Sequence, residues 1–407
     1  MSKPALIQKR YAAERRFRWY GISAILLTTA FLLALIADIV IKALPTFTVH
    51  EARLQVRVDA TMVDSANLAA GDYLGLVKQA LAAQFPDVTA RKDRKALNGI
   101  LSAGAADVLQ SRVLATPALV GQEVTVLVAL DSNADLYLKG YAAQQLSDQQ
   151  KTWLDALRDK GAITRGFAWN FLLDGDSREP ELAGIKGALT GSILTIIITL
   201  SLALPLGVAA ALYLEEFARK SWITDAIEIN INNLAAVPSI IFGLLGLAVF
   251  LNIFNLPRST PIVGGLVLSL LVLPTIIIAA RAAIRSVPPS IKEAALGIGA
   301  SHQQAVFHHV LPLAVPGILT GTILGVARAL GETAPLLMIG MIAFIADVPR
   351  GFTDAATVLP VQIFLWSDLP EAAFQSRTAA TIIVLLLVLF SFNALAIVLR
   401  KKFERRW

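Results

Sequence analysis

The 407-residue chain contains no cysteine, which excludes disulfide scaffolds, thiolate metal sites, iron–sulfur clusters and thiol catalysis. Charge is scarce as well: Asp, Glu, Lys and Arg make up 16% of the residues, against about 25% in an ordinary soluble domain. No stretch matches the glycine-rich phosphate-binding loop of ATPases, so the chain does not by itself use ATP in the usual way. Apolar residues, by contrast, account for 56% of the chain. The few charges are unevenly placed. Residues 51–181 hold 14 Lys/Arg and 17 Asp/Glu, which leaves 22 and 13 for everything else. The net charge of +6 therefore arises around apolar segments rather than in the charged block, and it is no signature of nucleic-acid binding.

A helix that crosses a roughly 30 Å hydrocarbon core needs about 20 mostly apolar residues. Residues 21–37 are followed by a single Asp38, and residues 187–214, 229–257, 259–280 and 378–399 are free of charge. Residues 313–341 are broken only by Arg328 and Glu332. These stretches predict six spans. Pro205, Pro238, Pro274 and Pro335 fall inside four of them, which membrane helices tolerate when neighbours or cavity water re-satisfy the freed carbonyls. With the N-terminus inside, the inner segments collect Lys3, Lys9, Arg10, Arg15, Arg16, Arg18, Arg219, Lys220, Arg281, Arg285, Lys292, Arg400, Lys401, Lys402, Arg405 and Arg406. The short outer loops collect only Arg258, Arg350 and Arg377. This bias places both termini in the cytoplasm and the charged block outside. A basic start before an apolar stretch also describes a cleaved signal peptide, but residues 21–43 exceed the 7–15 apolar residues typical of one.

Between residues 45 and 183 the pattern becomes that of a small α+β domain. Residues 50–59 alternate apolar and polar, and residues 123–130 are β-branched, so both predict strands. Residues 72–85, 93–113 and 147–160 carry apolar residues at helical spacing, with Asp72 and Ser147 as N-caps. Asp131, Asn133 and Asp135 mimic the start of a calcium loop, but Leu136 stands where the turn glycine is required and Ala142 where the bidentate acid belongs. A polar turn is the better reading. The run from Asp174 to Pro180 reads as a loop leading to the membrane.

The inner loop at 287–312 carries the most specific motif: Glu293-Ala294-Ala295, three residues, Gly299, nine residues, then His309-Val310-Leu311-Pro312. Residues 291–296 can form a short helix that presents Glu293 to a partner, with Ala294 and Ala295 allowing close approach, Gly299 ending it and Pro312 starting the next span. An ordinary cytoplasmic connector would not need so long a fixed spacing. The motif resembles the Glu-Ala-Ala loop of ABC importer permeases, with His309 at a position where that family has an aliphatic residue. The resemblance implies a type I permease fold with an inserted extracytoplasmic domain, and a short helix that docks on a separate ATPase subunit, present in two copies. Two further runs, Arg281 to Pro288 and Arg328 to Leu337, resemble the PstA-type permeases of phosphate importers. That likeness covers residue 184 onward. It implies as partners a second, PstC-like permease, an extracytoplasmic phosphate-binding protein, and phosphate as cargo.

Arg328 and Glu332 also stand out by themselves, four residues apart on one helical face in the middle of an apolar span. Charges at that depth normally face the bundle interior or a wet pathway. A mutually neutralising pair that only locks helices is the plainer reading. As a functional pair, Arg328 offers a planar fork for an oxyanion, Glu332 orients it and weakens its grip, and Thr333 adds a donor. Gly317, Gly321 and Gly325 repeat every four residues, as do Gly187 and Gly191, a device for close helix packing, here against a sister permease. His302, His308 and His309 cluster without carboxylates at ligand spacing and read as surface or ATPase contacts rather than a metal site.

The expectation is an all-α polytopic membrane protein with six transmembrane helices and an inserted α+β extracytoplasmic domain, in a bacterial inner membrane. Its segments are a basic tail (1–19), a first span (20–44), the outer domain (45–183), a permease domain (184–400) containing the coupling loop, and a basic tail (401–407). It is expected to be no enzyme, to bind no cofactor and no nucleic acid, and to be half of an ATP-driven phosphate pathway. A permease for sulfate, molybdate or phosphonate is the nearest alternative. A secondary carrier would need coupling carboxylates inside the spans, where only Glu332 lies deep. A membrane-anchored sensor would leave Arg328 without purpose.

Overall fold

The computed structural model describes residues 3–64, 67–141 and 145–403. Arg405 and Arg406 of the basic tail, and Ala142, lie outside the described residues. The N-terminal segment forms one helix, α1 (Lys3–Ala43), exposed along nearly all of its length from Arg10 onward. At 1.5 Å per residue it is about twice as long as a membrane core is thick, so the basic tail and the first apolar stretch are one rod. The single Asp38 on it is neutralised one turn later, where Lys42 donates to it at 2.8 Å.

The charged block folds around a three-stranded antiparallel sheet, β1 (Thr48–Arg57), β2 (Glu123–Ala129) and β3 (Ile163–Phe167), in the order β2-β1-β3. Alternation in β1 turns Ala52, Leu54 and Val56 onto one face, and register sets Leu54 opposite Val126. That face packs on α2 (Tyr73–Ala83), α3 (Arg91–Asn98), α4 (Ala105–Ala115) and α6 (Asp148–Asp159), burying Leu81, Leu97, Leu109 and Leu154. Asp72 caps α2 through the Gly75 N–H at 2.8 Å, and Ser147 forms a capping box with Gln150. The single helix expected over 93–113 is instead two, α3 and α4, because the chain turns between Gly99 and Gly104. The third strand was not anticipated; five residues containing Gly166 are too few to show a period. Asp131 caps α5 (Ser132–Leu138) by accepting from the Asn133 N–H, and Asp135 lies within that helix, so neither belongs to a calcium loop. A short α7 (Trp169–Leu173) leads to the membrane region.

There the helices are α8 (Lys186–Leu212), α9 (Trp222–Ala236), α10 (Ser239–Leu245), α11 (Pro261–Arg285), α12 (Pro289–Gly297), α13 (His302–Ala305), α14 (Leu311–Gly331), α15 (Ala334–Met338), α16 (Leu359–Ser367) and α17 (Ala372–Phe403). Five helices among the described residues are long and apolar enough to cross a membrane, or six if the bent pair α9 and α10 counts as one span. That pair departs from the straight helix expected over 229–257, with a bend of 102°. Pro238 lacks an amide hydrogen and disfavours helical geometry at Val237, which is extended, and the chain bends there. The core of this region forms where α8, α11 and α14 meet, around Ile196, Val267, Leu271, Val272 and Ala329.

The block and the membrane helices are joined by buried polar contacts. Within the block, Lys139, just past the end of α5, donates to Asp135 and to the carbonyls of Pro45 at 2.7 Å and Thr48 at 2.5 Å, fixing the segment that follows α1. Arg377 of α17, counted from sequence as an outer-loop cation, is buried; it donates to the Ala183 carbonyl and lies over the Phe171 ring. The indole of Trp366 donates to Asp176 at 3.0 Å. Glu181 lines the same joint with neither carboxylate oxygen hydrogen-bonded. Burial holds the carboxyls of Glu181 and Asp176 above their ordinary range, and it holds the Lys139 ammonium below its own.

Candidate functional site

The inner end of the molecule holds the Glu293 motif on a defined helix. Pro289 sits in the first turn of α12, where its missing N–H costs nothing. The helix stops at Gly297, and Gly299 follows at φ +95°, a conformation that only glycine adopts without strain. Glu293 and Ala294 are exposed, whereas Ala295 is buried against its own chain. Beside them Ile298 is 85% exposed and Leu296 is exposed too, so an acidic residue stands within an apolar, solvent-facing patch. A helix presenting one carboxylate and bare aliphatic side chains can seat in a groove on another protein. The chain then returns through Ser301, which caps α13 in a capping box, and a wide turn at 306–310 that runs into Leu311 and Pro312 at the start of α14. His308 and His309 are exposed on that turn. Among the described residues no group of three or more His, Asp or Glu side chains could hold a metal ion.

Charge pairing beneath this helix was not anticipated. Arg281 of α11 donates from Nε to Glu215 at 2.6 Å and from Nη2 to Glu228 of α9 at 2.8 Å. Arg285, one turn on, donates to the other oxygen of Glu215 at 2.7 Å. Lys292 of α12 donates to Glu216 at 2.5 Å, and the His302 ring nitrogen meets the Glu216 carbonyl at 2.8 Å. From sequence these cations were counted only as inner-face anchors. The available signal was the doublet Glu215-Glu216 at the end of an apolar span, on the side where cations gather.

Arg328 and Glu332 are brought together, but not on one helical face. α14 ends at Gly331 and Glu332 is extended, so the pair straddles the helix terminus with Arg328 Nε 3.6 Å from Glu332 Oε1. Pro335 favours the break, because in a continuous helix its ring would crowd the Gly331 carbonyl four residues earlier. Arg328 thus sits in the last turn of α14, where the unpaired carbonyls favour a cation. The pair is partly open, with side-chain exposures of 37% and 19%, and Thr333 beside it is half-buried. Gly317, Gly321 and Gly325 face α11 of the same chain rather than a sister subunit. A Cβ on Gly317 would lie 2.6 Å from the Ala283 Cβ, and one on Gly325 equally close to Val272. Gly191 abuts Thr357 and Gly187 lies near the Asp347 carbonyl, both in the irregular segment before α16.

Comparisons with known proteins match two separate stretches of the chain. A family model described as binding-protein-dependent transport system inner membrane component matches residues 203–407. A domain family of unknown function matches residues 5–148. The phosphate transport system permease protein PstA 1 of Mycobacterium tuberculosis (strain CDC 1551 / Oshkosh) is 30% identical over 62% of this chain and 83% of its own. The phosphate transport system permease protein PstA of Yersinia pestis is 32% identical over 54% and 73%. An inward-facing structure of the MetNI methionine ABC transporter is similar with a TM-score of 0.42 and 16% identity, over 54% of this chain and 96% of that one.

Proposed function

We propose that this chain, which belongs to the binding-protein-dependent transport system inner membrane component family, is the permease subunit of an ATP-driven importer of inorganic phosphate. The observation that carries the reading is the solvent-facing α12, with Glu293 exposed among bare aliphatic side chains at the end of the molecule where Lys and Arg gather. A membrane subunit without a nucleotide-binding loop needs an external source of work, and a short docking helix is a means of receiving it. In this reading Glu293, Ala294, Ala295, Gly299, Leu311 and Pro312 make the contact with a separate ATPase, two copies of which serve this chain and a second permease. Phosphate as cargo is supported by the relatives named PstA and by Arg328, an always-charged fork that can accept an oxyanion in a poorly solvated place.

The proposed cycle begins when ATP binding closes the two ATPase subunits and draws their docked helices together. The movement opens the pathway outward to an extracytoplasmic phosphate-binding protein, and hydrolysis returns it inward. Arg328 meets the anion while Glu332, already at the pair distance, competes for the guanidinium and keeps the grip loose enough to release. Thr333 offers a hydroxyl on the same rim. Both termini lie in the cytoplasm, α9 and α10 together complete six spans, and the domain at 45–183 stands outside the membrane, held by the Arg377 and Trp366 contacts.

The test is reconstitution. Tagged chain purified in mild detergent should bring with it an ATPase and a second permease. In vesicles, phosphate presented on its binding protein should raise ATP turnover and enter the lumen, whereas sulfate and molybdate should do neither. Stimulation by sulfate or molybdate alone would transfer the reading to another oxyanion, and ATP-independent exchange would remove it.

A further inference from the structure

The carboxylates Glu215 and Glu216 lie in a wider helical turn, Tyr213–Phe217, that continues α8, and are each only 11% exposed, although they lie at the rim of a membrane segment. Together their pairs tie four elements. Glu215 holds Arg281 and Arg285 of α11, Arg281 also holds Glu228 of α9, and Glu216 holds Lys292 of α12 and, through its carbonyl, His302 of α13. The Phe217 ring stands edge-on against His302 at 5.1 Å. Lys292 and Glu293 are successive helical residues and so point about 100° apart. One grips the membrane helices while the other faces outward, free to meet a partner.

From this geometry we infer that Glu215 and Glu216 are the positioning residues through which α12 moves the membrane helices. Charged hydrogen bonds of 2.5 to 2.8 Å hold direction as well as distance. A displacement of α12 therefore pulls through Lys292 on the turn at 213–217 that continues α8, and Glu215 in that turn passes it to α11 and α9 through Arg281. Apolar packing under α12 is thin by comparison, since Ala295 is its only buried residue. The bent α9 has no buried residue at all among those described, so its link to α11 through Glu228 is a specific hold on an otherwise loosely packed helix. This inference rests on the coupling role proposed above for α12.

The experiment uses the complete complex in vesicles and measures phosphate moved per ATP hydrolysed. Lys292→Glu and Glu216→Lys are made singly and together. Each single reversal is expected to lower uptake about tenfold, within the 5–150-fold range of ordinary coupling energies, while the ATPase still copurifies and ATP turnover persists. The double reversal, which restores an opposite-charge pair, is expected to recover most of the uptake. Lys292→Arg, which keeps the charge, should behave as the parent. Unchanged uptake in both single variants would overturn the inference. So would a loss of uptake that the double reversal fails to recover while the complex stays assembled. If the unmodified chain neither binds an ATPase nor moves phosphate, the functional reading fails instead, and the two failures are distinguishable.

Discussion

Arg328 and Glu332 meet across the end of a helix rather than along it, with Nε and Oε1 3.6 Å apart and the chain already extended at Glu332. Their separation is therefore adjustable by rotation at one backbone position, which a pair locked into consecutive helical turns would not allow. In the proposed function, an anion entering between them would compete with a carboxylate at a single ion-pair distance, and the helix terminus would add a preference for the cation that stays behind.

Arg328→Ala should reduce phosphate uptake strongly while changing stability little, because a half-open ion pair contributes at most about 1 kcal/mol. Paired measurements of vesicle uptake and of thermal unfolding in detergent check this. Unchanged uptake with a lowered unfolding temperature would assign the pair to structure alone.

Glu293→Arg should abolish ATP-dependent uptake and release the ATPase during purification. Its side chain is exposed, so the unfolding temperature of the isolated chain should stay within the small range of surface substitutions, about 0.5 kcal/mol. Retained uptake would show that the helix does not couple in this way.

Gly321→Leu should destabilise the membrane region by about 1–3 kcal/mol, the usual cost of overpacking. The added side chain would have to occupy the place of Ala279 on α11. Gly21→Ala on α1, where nothing lies within 4 Å, should be neutral or slightly stabilising through helix propensity. Thermal unfolding of the two variants side by side separates packing from composition.

Glu181 predicts a pH dependence. Burial raises its folded pKa above the ordinary 4.5, so folding favours the protonated form. The stabilising contribution is complete below about pH 4.5, the unfolded value, and is lost as pH rises through the raised folded value. Asp176, raised for the same reason, acts in the same direction. Glu181→Gln should therefore raise the unfolding temperature at neutral pH and flatten its fall between acid and neutral conditions. A pH series of melts that leaves the slope unchanged would show that the carboxylate is already compensated in the folded chain.

Much of the fold was legible in sequence for a simple reason: periodicity and caps are local. The alternation in β1, the caps at Asp72 and Ser147, and the stop of α12 just before Gly299 follow from neighbours within a few residues. Proline was visible but its consequence was not. Pro205 and Pro274 are carried inside continuous helices, whereas Pro238 stands at a bend of 102° and Pro335 stands in the first turn of a new helix after α14 has ended. Which outcome occurs depends on whether neighbouring elements support the interrupted turn, and no local rule contains that.

Composition and spacing by themselves determined that this is a membrane chain with a charged block after its first helix, a Glu-Ala-Ala motif at Glu293 that resembles the importer coupling loop, and two unexplained charges at Arg328 and Glu332. Tertiary structure alone decided what the remaining charges do. Arg281, Arg285 and Lys292 count in sequence as interchangeable cations on one side of a membrane, yet they are held by Glu215, Glu216 and Glu228 from segments 53 to 76 residues away. Arg377 counts as an outer cation and is buried beneath a domain edge. The reason is physical: membrane orientation depends on the sum of charges near a span end, whereas an ion pair depends on a separation of a few ångströms between elements that only folding brings together.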